Sequence, residues 1–311
     1  MECKNRKLRN TLIISSAFLM PVIINKLIFF TAQKRYTMPE AVHTYDWRLG
    51  KIAYSVRGKG KPLVLVHGAK PGESSAVWMK NVNSLAESYR VYTLDLLGYG
   101  ASDRVNTTYT AYTYASMIND FITDVVGRPA AVIAEGEGAV FTAAAYAKDP
   151  DNYKKLVFIC PKGISDSFAS DEDKKKRALY ELPVIGESLY LAAVSHAAVE
   201  KTVGSLIFSS EKRNILTESL YASAHCGGGV NRYVYASYKT NFMNADIKPY
   251  IRNCNIPLFI IWGEQAEDLA DFDEVQGLAK KGEYALFEET AGLPNYENAE
   301  EFNKAVKEFL K

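Results

Sequence analysis

The chain is poor in the side chains that build metal centres and cross-links. Its 311 residues include only four histidines, His43, His67, His196 and His225, and none in residues 226–311. It has only four cysteines, Cys3, Cys160, Cys226 and Cys254, with no CxxC pair. The first scarcity excludes a histidine-rich metal site, and the second a disulfide scaffold or structural zinc. No metal and no cofactor is expected. Excess charge of one sign is missing as well. The net charge is +1, whereas a nucleic-acid partner normally calls for a basic surplus. With 48% hydrophobic and 23% charged residues, the chain is too apolar to be disordered. It has the composition of one large or two small globular domains.

The N-terminus carries the most membrane-like stretch. Lys4, Arg6, Lys7 and Arg9 precede a largely apolar run from Thr11 to Ile24, which Asn25 and Lys26 interrupt and Leu27 to Phe30 extend. Its length, about 20 residues, is near that needed to span a bilayer. No A-x-A-like cleavage site follows. Residues 1–38 therefore predict an uncleaved membrane anchor, with the membrane as a partner. The basic flank places the N-terminus inside and the body on the outer face. Pro21, Asn25 and Lys26 leave an interfacial helix and a cytoplasmic body as the alternative.

Beyond residue 40, short apolar runs alternate with helical patterns. The runs Pro62–His67, Arg90–Asp95, Pro129–Ala134, Lys155–Cys160, Ile256–Trp262 and Glu283–Glu288 lack polar alternation, as expected of parallel strands covered on both faces. A hairpin over Val42–Trp47 and Ile52–Val56 precedes them. Met117, Ile118, Phe121, Ile122 and Val125 share one helical face, with Gly127 placed to end that helix. This rhythm predicts a doubly wound, mostly parallel sheet. Residues 164–255 break it with helical segments, so the core divides into 39–163 and 256–311 around an inserted helical cap.

Several spaced motifs carry a family resemblance. His67-Gly68 ends one strand, followed by Gly72 and Trp78. Asp95-Leu96-Leu97-Gly98-Tyr99-Gly100-Ala101-Ser102-Asp103 ends the next, and Ala134-Glu135-Gly136-Glu137-Gly138 ends the one after. The chain resembles the α/β-hydrolase superfamily over roughly residues 42–311. Leu182-Pro183-Val184-Ile185-Gly186 and Asn244–Ile251 resemble its capped epoxide-hydrolase and haloalkane-dehalogenase branch. The resemblance implies a nucleophile on a sharp strand-to-helix turn flanked by small residues. Ala134 and Gly138 supply the flanks, which puts Gly136 at the nucleophile position. It implies an acid where Ala266 stands in Trp262-Gly263-Glu264-Gln265-Ala266, with Glu267 and Asp268 close by. It implies a histidine near Gly292-Leu293-Pro294, where Leu293 stands and where the chain has none. His67 resembles the family's loop histidine, not its general base.

Acyl transfer needs an activated nucleophile and a base within reach, and all three family positions lack one. The backbone N–H groups of Ala69 and Glu137 are the implied oxyanion donors. Pocket candidates are thus His67, Gly68, Ala69, Glu135, Gly136 and Glu137. Ionised and facing the pocket, Glu135 and Glu137 would oppose an oxyanion and suit a cationic or hydrogen-bond-donating ligand. Facing solvent or a helix N-terminus, they would be structural. The chain is therefore expected to bind a small apolar molecule or a protein partner without hydrolysing it. The alternative is an active hydrolase using Glu135 or Glu137 on a small ester, epoxide or similar substrate. A third reading is a scaffold whose pocket is filled by cap side chains.

Overall fold

A computed structural model describes residues 20–34, 42–165, 167–279 and 282–311. Eight strands form one sheet in the order β1-β2-β4-β3-β5-β6-β7-β8. They are β1 (His43–Trp47), β2 (Gly50–Arg57), β3 (Lys61–Val66), β4 (Tyr89–Leu94), β5 (Ala130–Glu135), β6 (Tyr153–Ile159), β7 (Leu258–Gly263) and β8 (Gly282–Phe287). The β1–β2 and β2–β4 pairs are antiparallel, and all others are parallel. The β1–β2 hairpin turns at Arg48 and Leu49, one residue earlier than its sequence indicates.

The apolar runs are strands because both sheet faces are covered. Leu63, Val64, Leu65 and Val66 of β3 have no exposed surface, as a parallel sheet wrapped by helices requires. Helix α2 (Val82–Ala86) precedes β4, and on one side α3 (Ala111–Phe121) packs against α4 (Glu137–Lys148). A wider turn of helix extends α3 over Ile122–Val126 and ends at Gly127, whose φ is 71° and whose N–H donates to the Ile122 carbonyl. Between β6 and β7 lie the helices of the insertion. They are α5 (Asp171–Glu181), α6 (Ile185–Ala193), α7 (His196–Leu206), α8 (Arg213–His225), α9 (Asn231–Lys239) and α10 (Lys248–Arg252). After β7 come α11 (Leu269–Val275), α12 (Pro294–Glu297) and α13 (Ala299–Leu310).

The membrane-anchor expectation is overturned. Residues 1–19 of that segment lie outside the described residues, but residues 20–33 form a helix, α1, that packs on protein. Asn25, Phe29 and Ala32 form a buried stripe at helical spacing. Asn25 Nδ2 donates to Ser188 Oγ of α6 at 3.1 Å. The Phe29 ring lies 6.3 Å from that of Tyr190 and 6.0 Å from that of His225. Among the described residues no helix is long and apolar enough to cross a membrane. An apolar run flanked by lysine reads the same whether lipid or a protein cap buries it. Here the cap does so for one face, and the outer-face placement of the body loses its basis.

Phe29 is the anchor of this contact. The change Phe29→Ala is expected to remove on the order of 3 kcal/mol of docking energy. It should expose Lys26 and Lys34 to trypsin while leaving unfolding of the sheet unchanged. Equal cleavage rates in variant and parent would contradict the packing role.

Candidate functional site

The site grows from the turn between β5 and α4. Gly136 stands there with φ 55° and ψ −125°, a strained backbone that glycine adopts at low cost. Its N–H donates to the Ile159 carbonyl and its own carbonyl accepts from Lys162 N–H, so the turn is held from β6. Two residues on, a Cβ at Gly138 would stand 2.5 Å from the His67 carbonyl oxygen. The small flank is therefore required by close packing of the turn on the loop after β3. At Gly136 a Cβ would meet nothing nearer than 3.9 Å. The position has room for a side chain that the sequence does not supply.

The facing loop runs through His67, Gly68, Ala69 and Lys70. His67 is fully buried. Leu96 N–H donates to its Nε2 at 3.0 Å, which leaves the ring proton on Nδ1 for the Gly68 carbonyl at 2.6 Å. Burial lowers its pKa, so the ring is neutral and holds the loop in place. Tyr99 OH donates to the Ala69 carbonyl at 2.6 Å. The N–H groups of the next three residues each meet a carboxylate. Gly68 N–H donates to Glu135 Oε1, Ala69 N–H to Glu137 Oε2 at 3.0 Å, and Lys70 N–H to Glu73 Oε2 at 2.8 Å. Glu73, Glu135 and Glu137 are all buried. Neither glutamate of the turn faces bulk solvent.

One ammonium serves these three carboxyls. Lys70 Nζ lies 3.9 Å from Glu73 Oε1 and 3.9 Å from the point a Cβ on Gly136 would occupy. Burial opposes its charge, but Glu137 and Glu73 outweigh that and raise its pKa well above the usual value. Glu137 is the counterpart. Burial again opposes ionisation, but Lys70, the Ala69 N–H, Lys162 and its own backbone N–H lower its pKa. Glu73 is pushed well up by burial and by Glu135, which favours its neutral form. Burial and Glu137 push Glu135 up to about 7, against the pull of Lys70 and the Gly68 N–H. The site therefore holds one acid driven toward ionisation, one driven toward its neutral form and one pushed up to about 7.

Of the family's other positions, Ala266 lies at the same place. Gly136, Ala266 and Gly292 line one cleft with Lys70, Glu135, Cys160, Lys162 and Leu206, a space of about 390 Å³ open to solvent. Ala266 is buried in the turn after β7. Asp268 does not stand in for an acid that orients a base. Its carboxylate accepts from Trp262 Nε1 at 3.0 Å and Lys162 Nζ at 2.5 Å. Glu267 lines the cleft rim. Leu293 is fully buried, and its N–H donates to the Leu206 carbonyl of the insertion at 3.1 Å. Glu297 holds that loop, accepting from Ala291 N–H at 2.6 Å and Ser209 N–H at 3.0 Å.

The remaining histidines lie elsewhere. His43 packs beside Tyr54 on the β1–β2 hairpin. His196 is half-exposed, 3.0 Å from Glu218. His225 is buried against Tyr221 and Phe29, with Nδ1 at the Tyr221 carbonyl. Lys70, Glu73 and Lys162 were not legible as site residues, because only the folded loop brings them to Gly136. The lining is also more polar than an apolar ligand would call for.

Residues 61–187 match the family model described as alpha/beta hydrolase fold. A 2-hydroxy-6-oxo-6-(2'-aminophenyl)hexa-2,4-dienoic acid hydrolase of Metapseudomonas resinovorans is 37% identical over 70 residues, 22% of this chain and 24% of that protein. The chain thus matches only about a quarter of that relative's length. An uncharacterized protein of Mycobacterium tuberculosis is 21% identical over 281 residues, 86% of this chain and 79% of its own. The structure of a carboxylesterase from Bacillus subtilis superposes with a TM-score of 0.69 at 16% identity, covering 94% of this chain and 98% of that one. The strand order, the helical insertion after β6, the Gly136 turn and these matches lead to one conclusion: the chain has the α/β-hydrolase fold.

Proposed function

We propose that this chain is a non-hydrolytic α/β-hydrolase-fold protein that binds a small polar molecule in the cleft at Gly136. The reading rests on one observation. The Glu137 carboxylate accepts from Ala69 N–H at 3.0 Å, one of the two donors that the family resemblance assigns to the oxyanion, and it belongs to the residue that carries the other. Acyl transfer needs such donors aimed at the charge that develops in the transition state. A resident carboxylate both occupies such a donor and repels a second anion. Gly136 offers no nucleophile, and the base and acid positions carry Leu293 and Ala266.

Intact-mass measurement after exposure to a fluorophosphonate tests this. The protein should gain no adduct and should hydrolyse short p-nitrophenyl esters no faster than buffer. A stoichiometric adduct on any serine near the cleft, or saturable ester turnover, sinks the reading.

A second reading has its own support. The relatives named above include a hydrolase and an esterase, and Glu135 faces the cleft with its pKa pushed up to about 7, a value suited to general acid–base work. Glu135 would then activate water against a small substrate. Under that reading Glu135→Gln abolishes a measurable turnover. An unchanged rate removes it.

A further inference from the structure

The cleft presents two polar atoms that make no hydrogen bond among the described residues. One is Lys70 Nζ, on a side chain only 16% exposed, whose ion pair with Glu73 is long at 3.9 Å. The other is Glu135 Oε2. Its partner oxygen is taken by Gly68 N–H, and the residue is 1% exposed. Both residues line the cleft beside Gly136. The hydrogen-bonding capacity left over is thus one set of donors and one acceptor in one cleft, where the fold would otherwise place a nucleophile.

Charge restricts what can fill that space. An anionic group drawn to Lys70 would also face Glu135 and Glu137. A cationic group drawn to Glu135 would also face Lys70 and Lys162. The Lys162–Asp268 pair at 2.5 Å satisfies both of its members, and Glu267 at the rim adds a negative charge that disfavours an anion further. A neutral group with an acceptor on one edge and a donor on the other meets both unfilled atoms without a like-charge contact. We propose that the Gly136 cleft recognises a neutral carboxamide group. Its carbonyl oxygen accepts from Lys70 Nζ and its N–H donates to Glu135 Oε2. The substituent on that group faces Leu206, Ala266 and Gly292, so it is small and aliphatic. This inference rests on the proposal that the cleft binds a ligand rather than turning one over.

The test uses three probes of one shape, isobutyramide, isobutyrate and isobutylamine, titrated into the full chain at pH 8 and followed by calorimetry or ligand-observed NMR. Isobutyramide should bind at least about tenfold tighter than either charged analogue, the size of one charge-assisted hydrogen bond. In Glu135→Gln the order should change. The glutamine amide can donate where the carboxylate repelled, so isobutyrate gains at least about tenfold relative to isobutyramide. A melting curve on the same sample establishes that the variant is folded.

Equal affinities, isobutyrate binding tightest to the parent protein, no binding by any probe, or an unchanged order in Glu135→Gln overturns the inference. If isobutyramide binds as stated but is also cleaved to isobutyrate, recognition stands and the non-hydrolytic reading falls.

Discussion

Replacing Lys70 by methionine is expected to cost roughly 3–5 kcal/mol at neutral pH, the usual penalty for stranding a buried charge. The Lys70 side chain is 16% exposed and that of Glu73 is fully covered, so solvent screens this cluster little. Without the ammonium, Glu137 loses the largest of the influences that keep it ionised. It must then take up a proton or remain a bare anion against the Ala69 N–H. The sign of the pH dependence follows. In the parent protein the lowered Glu137 pKa adds stability above the ordinary carboxylate range, and that stability is lost as pH falls through the folded value. In Lys70→Met this contribution disappears, so the loss is largest at neutral pH and shrinks in acid. The double variant Lys70→Met/Glu137→Gln should recover at least about 2 kcal/mol relative to additivity. Urea unfolding at pH 7 and at pH 4.5 measures both quantities. A cost under about 1 kcal/mol, or no recovery in the double variant, would show that the two groups are not coupled.

Glu135→Gln is expected to act in the opposite direction. Its carboxyl is raised from about 4.5 in the unfolded chain to about 7 in the fold, chiefly by burial. A raised acid contributes stability that is fully present below pH 4.5 and lost as pH climbs through 7. Over that window the parent protein should lose about 3 kcal/mol from this one group. Glutamine carries no charge at any pH, and its Oε1 still accepts from Gly68 N–H. The variant should match its parent near pH 4.5 and exceed it by about 3 kcal/mol at pH 8, a melting-temperature gain of several degrees. A variant less stable than the parent at pH 8 would mean that the ionised carboxylate is favourable there.

These effects arise from a cluster only partly legible in the sequence. The frame was legible. Unbroken apolar runs such as Leu63–Val66 mark strands buried on both faces, and small residues at 134 and 138 mark a turn too tight for larger ones. Gly136 and Ala266, picked out by their positions in that frame, line one cleft with Gly292, whereas Leu293 is fully buried beside it. The environment of the turn glutamates was not legible. A glutamate at the end of a strand and another at the start of a helix both read as solvated or capping groups. Only the approach of the loop after β3, whose Gly68 lies 67 positions from Glu135, turns them inward. Glu137 lies in the first turn of its own helix and fills the Ala69 donor opposite. The N-terminal run failed for a similar reason. Its neighbours Ser188 and Tyr190 are supplied from more than 160 positions away, and no local pattern distinguishes that surface from lipid.

The Glu137 carboxylate, seated on the Ala69 N–H, closes the oxyanion donors to an incoming anion. Amide hydrogen exchange in ¹⁵N-labelled protein, compared with Glu137→Ala, measures this directly. In the parent protein the Ala69 amide proton should be protected and its resonance shifted downfield. In the variant that resonance should move upfield, and the proton should exchange much faster. Rapid exchange in the parent, with no change on removing Glu137, would show the donor open to an incoming oxyanion and contradict the account.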